Sequence, residues 1–329
     1  GEYLKVTGDK NPWNAVPGTA DPKPLACRRA YHILMTDGGW NYYNDMPMFN
    51  GEFKTTTAEI YDQHLDNADG TQKTLPDGKI YNPASAESRV YTDPWGRQAV
   101  DGRFAWVGRN GTIYDSKRRC EDRTSQCQKQ SFFAWVDVVP TISDMAFHYW
   151  STDLQPSLKS SDPLKNVQPI IRKSGDENFS ANGKSQILSE YWNPKNNPAT
   201  WRHMTTFTIG FKGAATWPTI TTDPVFGTNT FDGDFEKLVV GDKTWGNPVQ
   251  PNLDTPEDWY LNKTYTNKYA STASAEDARQ QELWHIALNS RGKFFPAQTA
   301  DDLKAAFGDI LRNIVEDTTK PITSYSASS

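Results

Sequence analysis

Asp37 is the residue whose type and position point most directly to chemistry. It follows Tyr31-His32-Ile33-Leu34-Met35-Thr36, a run apolar at nearly every position, and precedes Gly38-Gly39. In an open parallel sheet, ligands gather at the carboxyl ends of strands, and an acid that closes an apolar strand stands there. A hard divalent cation, Mg²⁺ or Ca²⁺, takes oxygen ligands, which Asp37, the Thr36 hydroxyl and water begin to supply. One carboxylate does not complete such a site, and an Asp that turns the chain through Gly38-Gly39 accounts for the same residues equally well. Mg²⁺ gives up its hydration reluctantly, so no tight binding is expected at Asp37 without further ligands from upstream residues.

Other residues invite a metal or catalytic reading. His148, His203 and His285 would hold Zn²⁺ if their faces converged. Each stands beside Trp, Tyr or Met in a stretch that looks packed, which favours structural histidines. The acid runs Asp66, Asp69, Asp77 and Asp232, Asp234, Glu236 could cradle Ca²⁺. Neither has the D-x-[DN]-x-[DN]-G pattern with a Glu at the twelfth position, so they are expected to be solvated loop acids. There is no G-x-S-x-G elbow, P-loop, G-x-G-x-x-G or H-E-x-x-H. Glycoside hydrolysis needs only two carboxylates ~5–10 Å apart, but nothing in the spacing selects such a pair. A non-catalytic protein is therefore expected; the alternative is a secreted carbohydrate-active enzyme or glycan-binding module using acidic and Trp-rich loops.

The elements that position these residues alternate. Strands are expected at 31–36, 204–210 and 293–295, the first central and covered on both faces, the last cut by Pro296 and so at an edge. Helices interleave with them. One has Ile142, Met145, Ala146, Tyr149 and Trp150 at helical spacing behind a Thr141/Asp144 cap. A second runs from about Glu276 to Leu288, and a third carries Leu303, Ala306, Phe307, Ile310, Leu311 and Ile314 behind Thr299 and Asp302. Strand and helix in alternation imply an α/β fold with a parallel sheet. Residues 40–135 read as a β-rich insertion, with turn dipeptides at Asp69-Gly70, Asp77-Gly78, Asp101-Gly102 and Asn110-Gly111. Residues 155–200 and 212–275 read mostly as loop, and 318–329 as a linker after a domain spanning 1–317.

Composition excludes several classes of partner. The 329 residues carry 35 bases and 40 acids, interspersed, with a formal charge of −5 and no basic stripe for nucleic acid. No apolar run approaches the ~20 residues of a membrane span, and Gly1-Glu2-Tyr3-Leu4-Lys5 lacks a signal-peptide pattern. Only 36% of residues are hydrophobic, yet 12 Trp, 14 Tyr and 15 Phe bury large areas each, which suits a modest core with long, aromatic-pinned loops.

Four blocks carry a resemblance. Cys27-Arg28-Arg29-Ala30-Tyr31-His32-Ile33-Leu34-Met35-Thr36-Asp37-Gly38 resembles the Cys-x-x-x-Tyr-x-Ile-Leu-x-Thr-Asp-Gly stretch of the PilY family of type IV pilus-tip and biogenesis proteins. Asp144-Met145-Ala146-Phe147-His148-Tyr149-Trp150-Ser151-Thr152-Asp153-Leu154 is similar to that family's Asp-x-Ala helix. Trp201-Arg202-His203-Met204 resembles its Trp-Gln-His-Met strand, and Leu283-Trp284-His285-Ile286-Ala287-Leu288-Asn289-Ser290-Arg291-Gly292 its Leu-Trp-His segment. The resemblance implies the C-terminal part of a von Willebrand A-like (Rossmann-like) domain in a longer chain, with Asp37 matching an acid of the metal-ion-dependent adhesion site. The Asp-x-Ser-x-Ser loop that completes such a site is absent from these residues. The same resemblance implies a role in pilus biogenesis or tip adhesion at the cell surface or outside the cell, after export through the periplasm. Its implied partners are minor pilins, other pilus components, or a host or abiotic surface.

Cys120 and Cys127 bracket Glu121-Asp122-Arg123-Thr124-Ser125-Gln126, a loop that a disulfide can close if its flanks form a hairpin. Paired zinc-ligand spacing is lacking, two unrelated thiols are the alternative, and Cys27 is left over. Oxidised protein is expected to show one free thiol, Cys27, on counting under denaturing, non-reducing conditions, and the bridge contributes on the order of 2–3 kcal/mol. Three free thiols would refute the pairing.

Overall fold

A computed structural model of the chain describes residues 2–19, 23–36, 68–93, 141–211, 230–231, 234–245 and 273–319, with three two-residue strands between 106 and 129. Its elements in chain order are β1 (Ala30–Thr36), β2 (Lys73–Thr74), β3 (Ile80–Tyr81), β4 (Trp106–Val107), β5 (Ile113–Tyr114) and β6 (Gln128–Lys129). Then come α1 (Ile142–Ser151), β7 (Glu177–Ala181), β8 (Lys184–Leu188), β9 (Met204–Phe211), α2 (Phe235–Val239), α3 (Ala273–Asn289), β10 (Phe294–Ala297) and α4 (Ala300–Thr319).

The expected alternation is present as β1, α1, β9, α3, β10, α4, and the three strands form one parallel sheet in the order β1-β9-β10. Register runs from Ala30 opposite Met204 to Thr36 opposite Gly210, and from Phe294 opposite Thr208 to Ala297 opposite Phe211. Among the described residues β9 is the central strand, and β10 with Pro296 is at an edge as expected, since proline cannot donate to a second neighbour. The central place expected for 31–36 requires a further neighbouring strand from outside the described residues. Among the described residues β1 pairs on one side only, and Ile33 and Met35 are 37% and 51% exposed. An apolar run shows that a strand can be covered; it does not say which strands flank it.

Period-two alternation on β9 separates two cores. Phe207 and Ile209 pack with Ala306 and Ile310 of α4, joined by Tyr31, Leu303 and Ile314. On the other face α1 and α3 contribute Phe147, Trp150, Leu283, Trp284 and Ile286 to the main core. There Thr208 Oγ1 donates to the Leu283 carbonyl at 2.7 Å. The sheet is thus sandwiched between helices, the arrangement that a parallel sheet with two apolar faces requires.

Both sequence-read caps form. Thr141 Oγ1 accepts the Asp144 N–H at 3.1 Å while Asp144 Oδ2 accepts the Thr141 N–H at 3.0 Å. Thr299 and Asp302 exchange the same pair of bonds at 3.1 and 2.9 Å. A hairpin stands where loop was expected in 155–200. β7 and β8 pair antiparallel around Asn182-Gly183, both at positive φ, the geometry of a two-residue turn that Asn-Gly favours.

Residues 68–93 belong to the domain's interior. Leu75, Tyr81, Val90 and Tyr91 are buried in the main core with α1 and α3. Within this stretch β2 and β3 pair around Asp77-Gly78, and Gly78 has φ 90°. The N-terminal segment adds no strand to β1 among the described residues. Instead Trp13 packs with Tyr149 and Leu154 at the end of α1, and its Nε1 donates to the Leu4 carbonyl at 2.9 Å.

The join between α3 and β10 is tight. Gly292 N–H donates to the Ala287 carbonyl at 2.8 Å and Arg291 N–H to the Leu288 carbonyl at 3.1 Å, with Arg291 in the left-handed region at φ 61°. A Cβ at Gly292 would lie 2.0 Å from the Thr206 carbonyl oxygen, whereas one at Gly308 on exposed α4 meets nothing. Gly292→Ala is expected to lose about 1–3 kcal/mol through overpacking against the sheet. Gly308→Ala is expected to gain about 0.5–1 kcal/mol by restricting the unfolded chain. Urea unfolding of the two variants and the parent reads both signs.

Candidate functional site

Three polar residues in the C-terminal half of α3 do not face water. Glu282, His285 and Asn289 recur at three- and four-residue spacing and are buried between Leu283, Trp284, Ile286, Ala287 and Leu288. A helix that is buried all round takes its polar side chains inside with it, and each must then find partners there. They find them on α1 and in 68–93.

Asp69 is fully buried. Its Oδ1 accepts the Asp93 N–H at 3.3 Å, and its Oδ2 accepts from Asn289 Nδ2 at 2.8 Å. Its own N–H donates to Asp144 Oδ1 at 3.2 Å, and its carbonyl accepts the Tyr81 hydroxyl at 2.5 Å. Glu282 Oε1 accepts the Ser143 N–H at 2.9 Å and the Ser143 hydroxyl at 3.1 Å. The second Asn289 Nδ2 hydrogen goes to the Ser143 carbonyl at 3.1 Å. Four carboxylates, those of Asp69, Asp93, Asp144 and Glu282, thereby meet one imidazole in a water-excluded junction between α1, α3 and 68–93.

His285 is fully buried beneath the Trp245 ring, which stacks on it at 4.3 Å and 17°. Its Nε2 lies 2.9 Å from the Tyr91 carbonyl. A carbonyl only accepts, so Nε2 carries the proton and Nδ1 of the neutral ring presents a lone pair. That Nδ1 is 3.5 Å from Asp93 Oδ2, and Nε2 is 3.6 Å from Asp69 Oδ2. One ligand atom each from Asp69, Asp93 and His285 lie within 4.8 Å of one another.

Burial governs the electrostatics. Desolvation, then the neighbouring Asp144 and Asp93, push the Asp69 carboxyl well above the usual carboxylate range. Burial raises Asp144 to about 6 and lowers His285 to about 3. No lysine or arginine among the described residues is within ion-pair distance of Asp69 or Asp144. These buried acids are closed to a polymeric sugar, so the cluster offers no pair for glycoside hydrolysis.

Sequence-read residues fall unevenly around this junction. Asp37, Cys120 and Cys127 lie outside the described residues; Thr36 ends β1, and Cys27 is exposed. Asp69 corrects its expectation as a solvated loop acid, as does Asp234, which is buried and ion-paired with Lys237 at 3.2 Å and with Lys243. Asp77 is exposed as expected and accepts the Tyr191 hydroxyl at 2.6 Å. The three histidines are not gathered. His148 meets Tyr149 edge-on, His203 bonds Trp201 and Asn197, and only His285 enters a cluster of metal-ligand type among the described residues. Asp93, Glu282 and Asn289 were not singled out by sequence. The readable signal was the spacing of Glu282, His285 and Asn289 inside an apolar helix segment.

His203 yields a pH prediction of its own. Its Nδ1–H donates to the Trp201 carbonyl at 2.7 Å, and its Nε2 accepts from Asn197 Nδ2 at 2.9 Å, so both nitrogens are satisfied in the neutral ring. Burial lowers its pKa to about 3 from the 6.5 of a free imidazole. The unfolded chain therefore binds a proton that the folded chain refuses. This contribution to stability is complete above pH 6.5 and is lost as pH falls below it, at up to about 1.4 kcal/mol per pH unit. His203→Gln is expected to make unfolding free energy less steep between pH 6.5 and 5 by about one proton. Parallel slopes in denaturant titrations of parent and variant would refute it.

Among curated proteins, the chain is similar to the type IV pilus biogenesis factor PilY1 of Pseudomonas aeruginosa strain PAO1, at 33% identity over 314 residues. It is 32% identical over 314 residues to PilY1 of strain PAK and 29% identical over 299 residues to that of strain UCBPP-PA14. The first two alignments cover 95% of this chain, which spans about 18% of the length of those relatives. No family model matches the chain, and no solved structure matches it. Along nearly all of its own length, this chain is a PilY-type sequence, homologous to one stretch of the type IV pilus biogenesis factors.

Proposed function

We propose that the chain is a non-catalytic module of type IV pilus biogenesis, acting at the cell surface or pilus tip by binding pilus proteins, with minor pilins as its partners. The observation that carries this reading is the similarity to PilY1 over 95% of the chain. The burial of Asp69, Asp93, Asp144 and Glu282 supports the non-catalytic part as far as that cluster goes, since a general acid or base must reach its substrate. The three parallel strands with α1 and α3 on one face and α4 on the other suit a partial von Willebrand A-like domain. No helix among the described residues is long and apolar enough to cross a membrane.

This reading gives partners the face where apolar side chains remain outside. Phe307, Leu311 and Val315 form an exposed row on α4, and Ile33 and Met35 are exposed on β1. An exposed apolar row such as that on α4 is the kind of surface that protein contacts use. Residues 68–93 share the main core, so deleting 40–135 would test folding more than function; substitutions on the outer face are the apt probe.

In the bacterium that carries the gene, a null strain is expected to lose surface pili and twitching, and the full-length parent gene to restore them. Leu311→Lys with Val315→Lys is expected to restore them poorly while keeping parental expression and circular dichroism, because both side chains are exposed. Normal piliation of the null strain would overturn the pilus reading. Full restoration by a stably expressed double variant would remove the α4 face from it.

A further inference from the structure

Two buried acceptors at the α3 junction have orientations that their neighbours fix. Tyr91's carbonyl holds the His285 proton on Nε2, so Nδ1 faces Asp93 Oδ2 at 3.5 Å with a lone pair, not a hydrogen. Asn289 donates both Nδ2 hydrogens, to Asp69 Oδ2 and to the Ser143 carbonyl, so its amide cannot be turned round. Its Oδ1 is on the same amide carbon as that nitrogen, so its orientation is fixed too. Neither His285 Nδ1 nor Asn289 Oδ1 takes a hydrogen-bond donor among the described residues, and both residues are fully buried. Lone pairs converging in a water-excluded space repel one another, and a buried acceptor without a donor costs about 1–3 kcal/mol. A cation among them turns that repulsion into coordination.

We propose that His285 Nδ1, the Asp93 and Asp69 carboxylates and Asn289 Oδ1 form a buried structural site for a divalent transition-metal ion, with Zn²⁺ as its preferred occupant. The spacing fits. Ligand atoms ~2.1 Å from one tetrahedral ion stand ~3.4 Å apart, and His285 Nδ1 is 3.5 Å from Asp93 Oδ2. The second shell is that of a metal-bound histidine, whose other ring N–H is held by a backbone carbonyl, here Tyr91 at 2.9 Å. An imidazole ligand favours Zn²⁺ over Ca²⁺ or Mg²⁺, which take oxygen. His285 and Asn289 lie one helical turn apart on α3, and Asp69 and Asp93 bracket the 68–93 segment. The ion would therefore staple that segment to the helix that packs on the sheet, independently of any role in pilus assembly.

The test is metal content and refolding. Protein purified without chelator is expected to hold about one Zn²⁺ per chain by plasma mass spectrometry, to lose it only when unfolded with chelator, and to melt higher when refolded with Zn²⁺ than with chelator. Co²⁺ introduced on refolding is expected to give the visible absorption of a four- or five-coordinate nitrogen–oxygen site. Removing a second-shell partner typically weakens metal binding ~10–100-fold, so His285→Gln, which removes a ligand, is expected to weaken Zn²⁺ at least ~100-fold. Asp77→Asn, on an exposed turn, is expected to leave it unchanged. Parent protein that takes up neither Zn²⁺ nor Co²⁺ and melts alike with and without them overturns the site, as would a Zn²⁺ that remains bound in folded His285→Gln. Should that variant not fold, the parent's metal content and Co²⁺ spectrum decide alone.

Discussion

The interior of this domain depends on one demanding constraint: the carboxylates of Asp69, Asp93, Asp144 and Glu282 and the imidazole of His285 are all withdrawn from water at a single junction. Isolated buried charge is among the costliest things a protein can hold, and it survives only with compensation from hydrogen bonds, shared protons or a counter-ion. The compensation here couples segments far apart in sequence. Asn289 reaches Asp69 and Ser143, Glu282 reaches Ser143, and Asp144 receives the Asp69 N–H while capping α1. Loosening any one of α1, α3 or 68–93 would strand polar groups on the other two, so the three are held as a unit.

Aromatic packing reinforces the same junction. The Arg291 guanidinium stacks on Tyr91 at 4.2 Å and on Trp150 at 4.5 Å and donates to the Tyr91 hydroxyl, which itself donates to the Trp192 carbonyl at 2.5 Å. Stacking on two rings gives the guanidinium an environment that a buried aliphatic site could not. It also explains why a non-glycine residue occupies the left-handed position at the end of α3: the side chain that glycine lacks is the one pinning α3 to 68–93 and α1. Tyr91 thus connects the aromatic cluster to the acid cluster, since its carbonyl also sets the His285 tautomer.

Local signals made the scaffold legible in the sequence. Thr141 with Asp144 and Thr299 with Asp302 announced α1 and α4, an apolar run closing at Asp37-Gly38-Gly39 announced β1, and a β-branched and aromatic run ending at Gly210 announced β9, because caps and strand ends are decided by neighbours a few residues away. The order β1-β9-β10 was not legible, since strand order is a long-range property. The hairpin at Asn182-Gly183 carried a local signal that was overshadowed by the polar composition around it. The acid junction was the least legible. Asp69-Gly70 looks like a surface turn, and only pairing with Asn289, 220 positions away, takes Asp69 inside. Even so, Glu282, His285 and Asn289 sat in view at core spacing within an apolar helix, and a polar residue on such a face demands a buried partner.

α3 and α4 invert the usual sorting of side chains in opposite directions. α3 carries charge and amide groups inward, while α4 keeps Ala306 and Ile310 against the sheet yet leaves Phe307, Leu311 and Val315 outside. Scattered exposed apolar residues are ordinary on a soluble surface, but these three recur every four positions and so share one face of the helix. The acids of the junction serve internal cohesion, and what the chain offers outward on the α4 side is shape and apolar area. That area sits on a sheet whose opposite face is fastened by the junction beneath α3. The two inversions are complementary: polar groups inside fasten α1, α3 and 68–93 together, and apolar groups outside lie on the frame so fastened.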